Sequence, residues 1–265
     1  MKRKHCAISG TILLLLALVW CVPFIAVAYE ILHEHSAVVA AQFDSGMFRT
    51  LALSVLAGSV SAALCCAFSG MAGYAISQKR FYCRDLLFGA LAGAMFFPPV
   101  VLMAPLFRLT AWLGMYDTFA ALVLPLSVTA FSVVFMKVAI DRVPSSIIDA
   151  AKIDGVGELA IFTKIIVPLV RGPLLALFAL QFLATWGALA IPWSVVDSPR
   201  LYTLSLRLAV RIQRVGQLPE SEVLLCAGLI AVPAFVLFVV KARDIVRGVM
   251  GALFRYEDAA DGRGS

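Results

Sequence analysis

Charged residues are scarce in this sequence of 265 residues. Asp, Glu, Lys and Arg together make up 14% of the chain, hydrophobic residues make up 62%, and the mean hydropathy is +0.96. Since a soluble domain carries about 25% charged residues, this composition excludes a soluble globular protein. About 20 apolar residues cross one bilayer, so the sequence predicts several membrane spans joined by short loops, without a large domain outside the membrane.

Motifs for nucleotide binding, metal binding and catalysis are also missing. The sequence has no G-x-x-x-x-G-K-[ST] motif, whose backbone amides would hold nucleotide phosphates. The six cysteines form no C-x-x-C pair, and His33 and His35 do not have the spacing that brings two imidazoles together on a helix. We therefore predict no catalytic residue, no metal site and no cofactor bound by this chain.

Six apolar runs are long enough to cross a membrane. They cover 8–28, 50–76, 86–106, 119–136, 173–195 and 223–240. None of them contains Asp, Glu, Lys, Arg or His, whereas ion-driven transporters carry such groups at membrane depth. If a protein of this kind moves a solute uphill, the energy has to come from another chain.

Basic residues are distributed unevenly over the connections between these runs. Sixteen of the 22 Lys and Arg residues lie in the termini and in the loops on the same side as the termini. Because cytoplasmic loops are rich in Lys and Arg, we predict that both termini are cytoplasmic. The same bias explains the net charge of +6 without a nucleic-acid partner.

The predicted fold is all-α and polytopic, with six transmembrane helices. It has three parts. Residues 1–49 hold the first span and the first outer loop, residues 50–253 hold the other five spans, and residues 254–265 form a cytoplasmic tail.

The loop over 141–171, on the cytoplasmic side, is patterned as two short helices. Ser146 and Asp149 stand in the S-x-x-D relation of an N-terminal capping box, so a helix is expected to begin there and to run to about Asp154. Gly155 follows where a left-handed residue ends a helix, and Glu158 opens a second helical stretch.

The second stretch of this loop has one apolar face. Its apolar residues recur at helical spacing. They are Leu159, Ile161, Phe162, Ile165 and Ile166. Pro168 and the pair Gly172-Pro173 are expected to break the helix before the fifth span. The residues alone leave two interpretations open, since the apolar face is buried either on the chain's own spans or against a soluble partner.

The spacing of residues in this loop resembles a family motif. Asp149-Ala150-Ala151, then Gly155, then Ile165-Ile166-Val167-Pro168 match the spacing of the EAA motif of permease subunits in binding-protein-dependent ABC importers. Asp149 stands in place of the motif's Glu, and Val167 stands in place of its Leu. Two further stretches, Pro98-Pro99-Val100 and Leu113 to Thr118, look like parts of the carbohydrate-importing group of these permeases, similar to the maltose and glycerol-phosphate types.

This resemblance implies a type I ABC-importer-like permease for a sugar or sugar-like solute, embedded in the lipid bilayer of the bacterial cytoplasmic membrane. The implied partners are a second permease subunit, two ATP-binding subunits that use ATP and Mg²⁺, and an extracytoplasmic solute-binding protein. The resemblance also assigns coupling to the ATPase to eight residues of the loop. These are Ser146, Asp149, Ala150, Ala151, Gly155, Ile165, Val167 and Pro168.

Other solutes and roles stay open at the level of sequence. Many sugar permeases have Trp-Asn in the fifth span, whereas Trp186 is followed here by Gly187. An importer of the same superfamily for a polyamine or a phosphonate would share the loop motif. A membrane adaptor without transport activity would share the spans.

Polar or amphipathic residues at membrane depth are the candidates for a solute path. They are Ser127, Thr129, Ser132, Gln181 and Trp186. In the last outer loop, Arg207, Arg211 and Arg214 recur at four and three residues and so share one helix face. We interpret that face either as an interfacial helix whose arginines reach for water, or as a contact for acidic groups of the binding protein.

Overall fold

The computed structural model describes residues 45–79, 81–215 and 226–236, together with positions 29 and 223. Within these residues every regular element is helical. The predicted first span, His33, His35 and the predicted tail over 254–265 lie outside the described residues.

Helix α1, Ser45–Gln78, is the central element of the fold. Its 34 residues give a length of roughly 50 Å at 1.5 Å per residue, and the predicted span over 50–76 lies inside it. By length and composition, the described residues contain one helix that could cross a membrane alone, or up to three spans if two bent helix pairs each count as one.

The predicted span over 86–106 is not a single helix. Helix α2, Arg84–Ala94, is followed by a short 3-10 turn, Pro99–Leu102, and then by α3, Met103–Trp112. The break covers residues 95–98 and ends at Pro98 and Pro99. These residues do not continue the helix because proline has no amide hydrogen for the helix ladder and disfavours helical backbone in the residue before it.

The next predicted span, over 119–136, is a bent pair of helices. Helix α4, Phe119–Ser127, and α5, Ala130–Ile140, meet at an angle of 47°. Pro125 lies inside α4, and the break follows within one turn, at Val128 and Thr129, whose backbones are extended.

The chain then forms two short helices and enters the fifth predicted span. Helix α6, Ser145–Ile153, precedes α7, Glu158–Leu169, and α7 is bent by 82° from α8, Arg171–Trp186. The predicted span over 173–195 is also interrupted, since α8 ends at Trp186 and a short helix α9, Ala190–Val195, follows.

Two more helices complete the described part of the chain. Helix α10, Leu204–Val215, lies in the predicted outer loop. Helix α11, Cys226–Val236, lies within the predicted sixth span.

Glycines let α1 approach its neighbours closely. A Cβ atom at Gly73 would lie 2.8 Å from the backbone nitrogen of Lys137 in α5, and one at Gly58 would lie 3.0 Å from the Phe182 ring in α8. Small residues at such crossings allow a neighbouring backbone, as at Gly73, or a neighbouring ring, as at Gly58, to approach the helix backbone closely. Helix α1 therefore makes its most extensive contacts with α8 and α5.

Candidate functional site

The loop over 141–171 is called the connector below. It contains α6, then a turn with Gly155 and Gly157, called the glycine turn, and then α7. Helix α6 begins two residues earlier than predicted, with Pro144 instead of Ser146 at the N-cap position and no side-chain cap hydrogen bond. Ser146 is therefore the second residue inside the helix, so the predicted capping box with Asp149 is wrong. Pro144 has an extended backbone, at φ −58° and ψ 129°, and the next residue, Ser145, is already helical. The helix therefore starts at Ser145.

Gly155 ends α6 as predicted. Its φ is +74°, in the left-handed region that favours glycine. Its amide donates to the carbonyl of Lys152 at 3.0 Å, and the amide of Val156 donates to the carbonyl of Ala151 at 3.0 Å. These two bonds form a Schellman motif, which fixes the direction in which the chain leaves α6.

The two faces of α6 have different surroundings. Ile148 and Ala151 are buried in a cluster with Met136 and Ile140 of α5. Asp149 and Ala150 are exposed. Of the three motif residues in α6, Ala151 therefore packs against the chain's own spans, and only Asp149 and Ala150 present an open face to a partner.

A π turn over Phe162–Ile166 shifts the register of α7. The amide of Val167 donates to the carbonyl of Phe162, five residues back, so Ile161 and Ile166 are the fully buried pair. Leu159, predicted to lie on the apolar face, is 72% exposed. The sequence pattern assumed a regular helix, and the extra residue of the π turn moves Leu159 off the buried face.

The predicted breaks around the end of α7 are also displaced. Helix α7 continues through Pro168 to Leu169, and the bend falls at Val170, whose φ is −101° and ψ is 20°. Gly172 and Pro173 lie in the first turn of α8. Proline is tolerated in a first turn because the amides there have no helical partner. Ile165 and Val167 are partly buried, whereas Pro168 is exposed.

Helix α7 is bonded to the end of α1 through Glu158. One carboxylate oxygen, Oε2, accepts a hydrogen bond of 2.8 Å from the Tyr74 hydroxyl, and the other, Oε1, pairs with the Lys79 ammonium. The hydrogen bond from Lys79, followed by that from Tyr74, holds the pKa of the Glu158 carboxyl below its usual value. The sequence pattern predicts Glu158 only as a helix start, since nothing in the pattern indicates which residues face its side chain.

The start of the connector is bonded to the same end of α1. Asp141 accepts hydrogen bonds of 2.7 Å from the Ser77 hydroxyl and 2.7 Å from the Lys137 ammonium. The connector thus rests on α1 at two points, Asp141 and Glu158, with α6 and the glycine turn between them.

Two large apolar side chains of the connector are more exposed than its other large apolar side chains. Ile153 is 86% exposed and Leu159 is 72% exposed, on either side of the glycine turn. Together with Asp149 and Ala150 of α6 they are called the docking face below, and both helices of this face are held to the chain on their buried side. Such a surface can bind a folded partner through burial of its apolar side chains.

The candidate residues for a solute path are bonded within the chain. Gln181 is buried, and its amide nitrogen donates to the carbonyl of Leu126, near the end of α4, with Ser61 and Thr185 each 3.3 Å away. The last carbonyls of a helix have no helical partner, so Gln181 satisfies one at the bend between α4 and α5. Trp186 is also buried and donates to the carbonyl of Ile230 at 3.0 Å.

The hydroxyl groups around this bend have similar structural partners. Ser127 donates to the carbonyl of Val123 at 2.7 Å. Thr129 and Ser132 form a capping box at the start of α5, and Ser69 of α1 donates to Ser132 at 2.7 Å. These contacts account for the polar groups as supports of a broken helix, and their role in a solute path stays a prediction.

Asp117 joins two loops at the opposite end of α1. Its Oδ1 accepts hydrogen bonds from the backbone amides of Asp197 at 3.0 Å and Ser198 at 2.9 Å, and its Oδ2 accepts one from the Ser198 hydroxyl. These bonds, led by that of the hydroxyl, hold the pKa of the Asp117 carboxyl below its usual value. Asp117 lies in the family-like stretch Leu113 to Thr118, and the sequence pattern assigns no role to it.

The three arginines of the outer loop lie on α10, which packs on the beginning of α1. Leu204 and Leu206 are buried, and the amide of Leu204 donates to the Ser54 hydroxyl at 2.8 Å. Arg207 is partly buried with its guanidinium 3.5 Å from the Thr50 hydroxyl. Arg211 is exposed, and Arg214 lies in α10 with its side chain outside the described part.

Most of the chain matches a known protein family and known transport proteins. Residues 66–247 match the family described as binding-protein-dependent transport system inner membrane component. The chain is 32% identical over 208 residues to the arabinooligosaccharides transport system permease protein AraQ of Halalkalibacterium halodurans, which covers 78% of this chain and 74% of that protein. It is 29% identical to the lactose transport system permease protein LacG of Rhizobium radiobacter, with 76% and 73% covered.

A solved structure has the same fold. It is the crystal structure of a bacterial ABC transporter involved in the import of the acidic polysaccharide alginate. One of its chains aligns with a TM-score of 0.76 over 90% of this chain and 95% of its own length, at 18% sequence identity.

Proposed function

Because the chain belongs to the family of inner membrane components of binding-protein-dependent transport systems, we propose that it is the permease of an ATP-driven ABC importer for a sugar or sugar-like solute. It crosses the bacterial cytoplasmic membrane six times, both termini are cytoplasmic, and the connector lies on the cytoplasmic side. The solute class rests on relatives that are named for arabinooligosaccharide and lactose transport.

The observation that carries this proposal is the two-sided construction of the connector. One face of α6 and α7 is fixed to the spans through Ile148, Ile161 and Ile166, which are buried. The opposite side leaves Ile153 and Leu159 exposed. A segment that is anchored on one side and open on the other can take up the movement of a partner and pass it to the membrane helices.

The proposed assembly contains three further kinds of subunit. We propose that two cytoplasmic ATP-binding subunits hold ATP and Mg²⁺ and supply the energy, and that this chain contributes no catalytic group to hydrolysis. A second permease subunit completes the solute path, and an extracytoplasmic binding protein delivers the solute. Helix α10, with Arg207, Arg211 and Arg214, is the proposed contact for that binding protein.

The docking face makes the proposal testable by substitution. The double variant Ile153→Asp, Leu159→Asp places two charges where a partner would bury two apolar side chains. Burial of each side chain is worth about 1.5–3 kcal/mol, and about 1.4 kcal/mol is tenfold in affinity. We expect the ATP-binding subunit to be lost from the purified complex and solute import to stop, while the amount of this chain in the membrane is unchanged.

The matched control is Tyr82→Asp, in the connection between α1 and α2. Tyr82 is 95% exposed and lies at the same end of α1, but outside the connector. The control should retain the ATP-binding subunit and import. Co-purification that is equal for the double variant and the control would contradict docking at this face.

A further inference from the structure

Movement of the connector can reach the membrane helices by two routes. The first is the chain itself, which passes from α7 through Val170 into α8 at an angle of 82°. The second is lateral, through the contacts between α7 and the end of α1. Because α1 packs extensively on both α8 and α5, a displacement of α1 would move the centre of the bundle.

The lateral route has two contacts, one helical turn apart on α7. At Glu158, both carboxylate oxygens are engaged, by Tyr74 and by Lys79. At Phe162, the ring lies against Tyr74 with the ring centroids 5.7 Å apart, and its Cζ atom is 3.4 Å from the position of a Cβ at Gly70. Two contacts along one helix fix its orientation as well as its distance.

The bonds of Asp141, at the start of the connector, do not carry movement of α7 to α1. Asp141 follows α5 directly, and it bonds Lys137 of α5 as well as Ser77 of α1. This pair therefore ties α1 to α5, which are already packed together. Glu158 instead joins α1 to the helix that follows the docking face.

We propose that Glu158 is a positioning residue for transport, which makes α1 move with the connector through its bonds to Lys79 and Tyr74. The inference rests on the proposed function, because it assumes a partner that moves the connector. The side chains of Lys79 and Glu158 are 38% and 47% exposed, and exposed ion pairs contribute little to static stability. Their loss is expected to impair transmission of movement and to leave the fold intact.

The test separates ATP hydrolysis from transport in the complete complex, reconstituted in vesicles with its binding protein. Glu158→Ala and Lys79→Ala should each keep the ATP-binding subunits and continue to hydrolyse ATP. From the size of the effects that substitutions in coupling networks have, solute imported per ATP should fall by about 2- to 30-fold. The exchange Lys79→Glu with Glu158→Lys restores an opposite-charge pair, and should recover much of this loss.

Asp85→Asn is the matched control. Asp85 lies, like Glu158, in the first turn of a helix at this end of the molecule, and it pairs with Arg84 at 3.1 Å. That pair joins neighbouring residues of α2 and bridges no two elements. The control should import as much solute per ATP as the native chain.

Three results would overturn the inference. They are native import per ATP in Glu158→Ala, a parallel loss of hydrolysis, import and protein amount in that variant, and an exchange variant that performs no better than the single ones. Failure of the proposed function looks different, because the native chain would then purify in an intact assembly without an ATP-hydrolysing subunit.

Discussion

Two glycines of the connector, Gly155 and Gly157, share their surroundings but differ in backbone conformation. A Cβ atom at either position would meet no atom within 4 Å. Gly155 has a φ of +74°, whereas Gly157 has a φ of −66°, which any residue adopts. A comparison of the two positions therefore isolates the conformational requirement at the end of α6 from any effect of side-chain size.

Gly155→Val should reduce solute import strongly, and Gly157→Val should not. A left-handed backbone costs a residue with a Cβ about 1–2 kcal/mol, and more for a β-branched one, so the Schellman turn is lost and α6 is reoriented relative to α7. Import in vesicles, with the amount of protein in the membrane measured alongside, checks this. Equal import by the two variants would show that the angle of α6 does not matter for transport.

The described helices broadly follow the apolar runs of the sequence. They differ from these runs where contacts with neighbouring helices decide the backbone hydrogen bonds. Apolar length predicted α1, and Pro98-Pro99 explains why the run after it is broken. The Schellman turn at Gly155 was predictable because it depends on local sequence. The π turn over Phe162–Ile166 was not, because its register is set by which side chains fit against α1.

The buried polar groups show the same limit of prediction from a local sequence pattern. Gln181 was identified from sequence as a polar residue at membrane depth, but its partner, the carbonyl of Leu126, is 55 residues away in the chain. Pairing over such a separation depends on how α8 packs beside the bend between α4 and α5. A pattern within one segment therefore locates such residues and does not assign their role.

Helix crossings give a prediction at the scale of elements. Gly73→Ala places a methyl group 2.8 Å from the backbone nitrogen of Lys137, so α1 and α5 must separate, and overpacking of this kind costs about 1–3 kcal/mol. Gly89→Ala in α2 is the control, since no atom lies within 4 Å of its Cβ and alanine favours helix. Thermal unfolding in detergent should show a lower midpoint for Gly73→Ala only. Equal midpoints would contradict the close crossing.

At the scale of the whole molecule, the two ends of α1 make different kinds of contact in the described part of the chain. At one end, Asp141 and Glu158 tie the connector to α1, and the docking face is left open beyond them. At the other end, Asp117 holds the loop before α4 to residues 197 and 198. The bundle between them is joined by glycine crossings and by broken helices whose polar groups are satisfied. This construction suits a membrane body that is moved from one end by a separate subunit.

The most direct test of that account is photo-cross-linking in the assembled complex. A photoreactive side chain at Asp149, on the exposed face of α6, should capture an ATP-hydrolysing subunit, and the same group at Tyr82 should not. Each variant is assayed for import before irradiation, so that only working complexes are compared. Capture at Asp149 alone is the predicted result. An importing complex in which position 149 never captures an ATP-hydrolysing subunit would contradict the account.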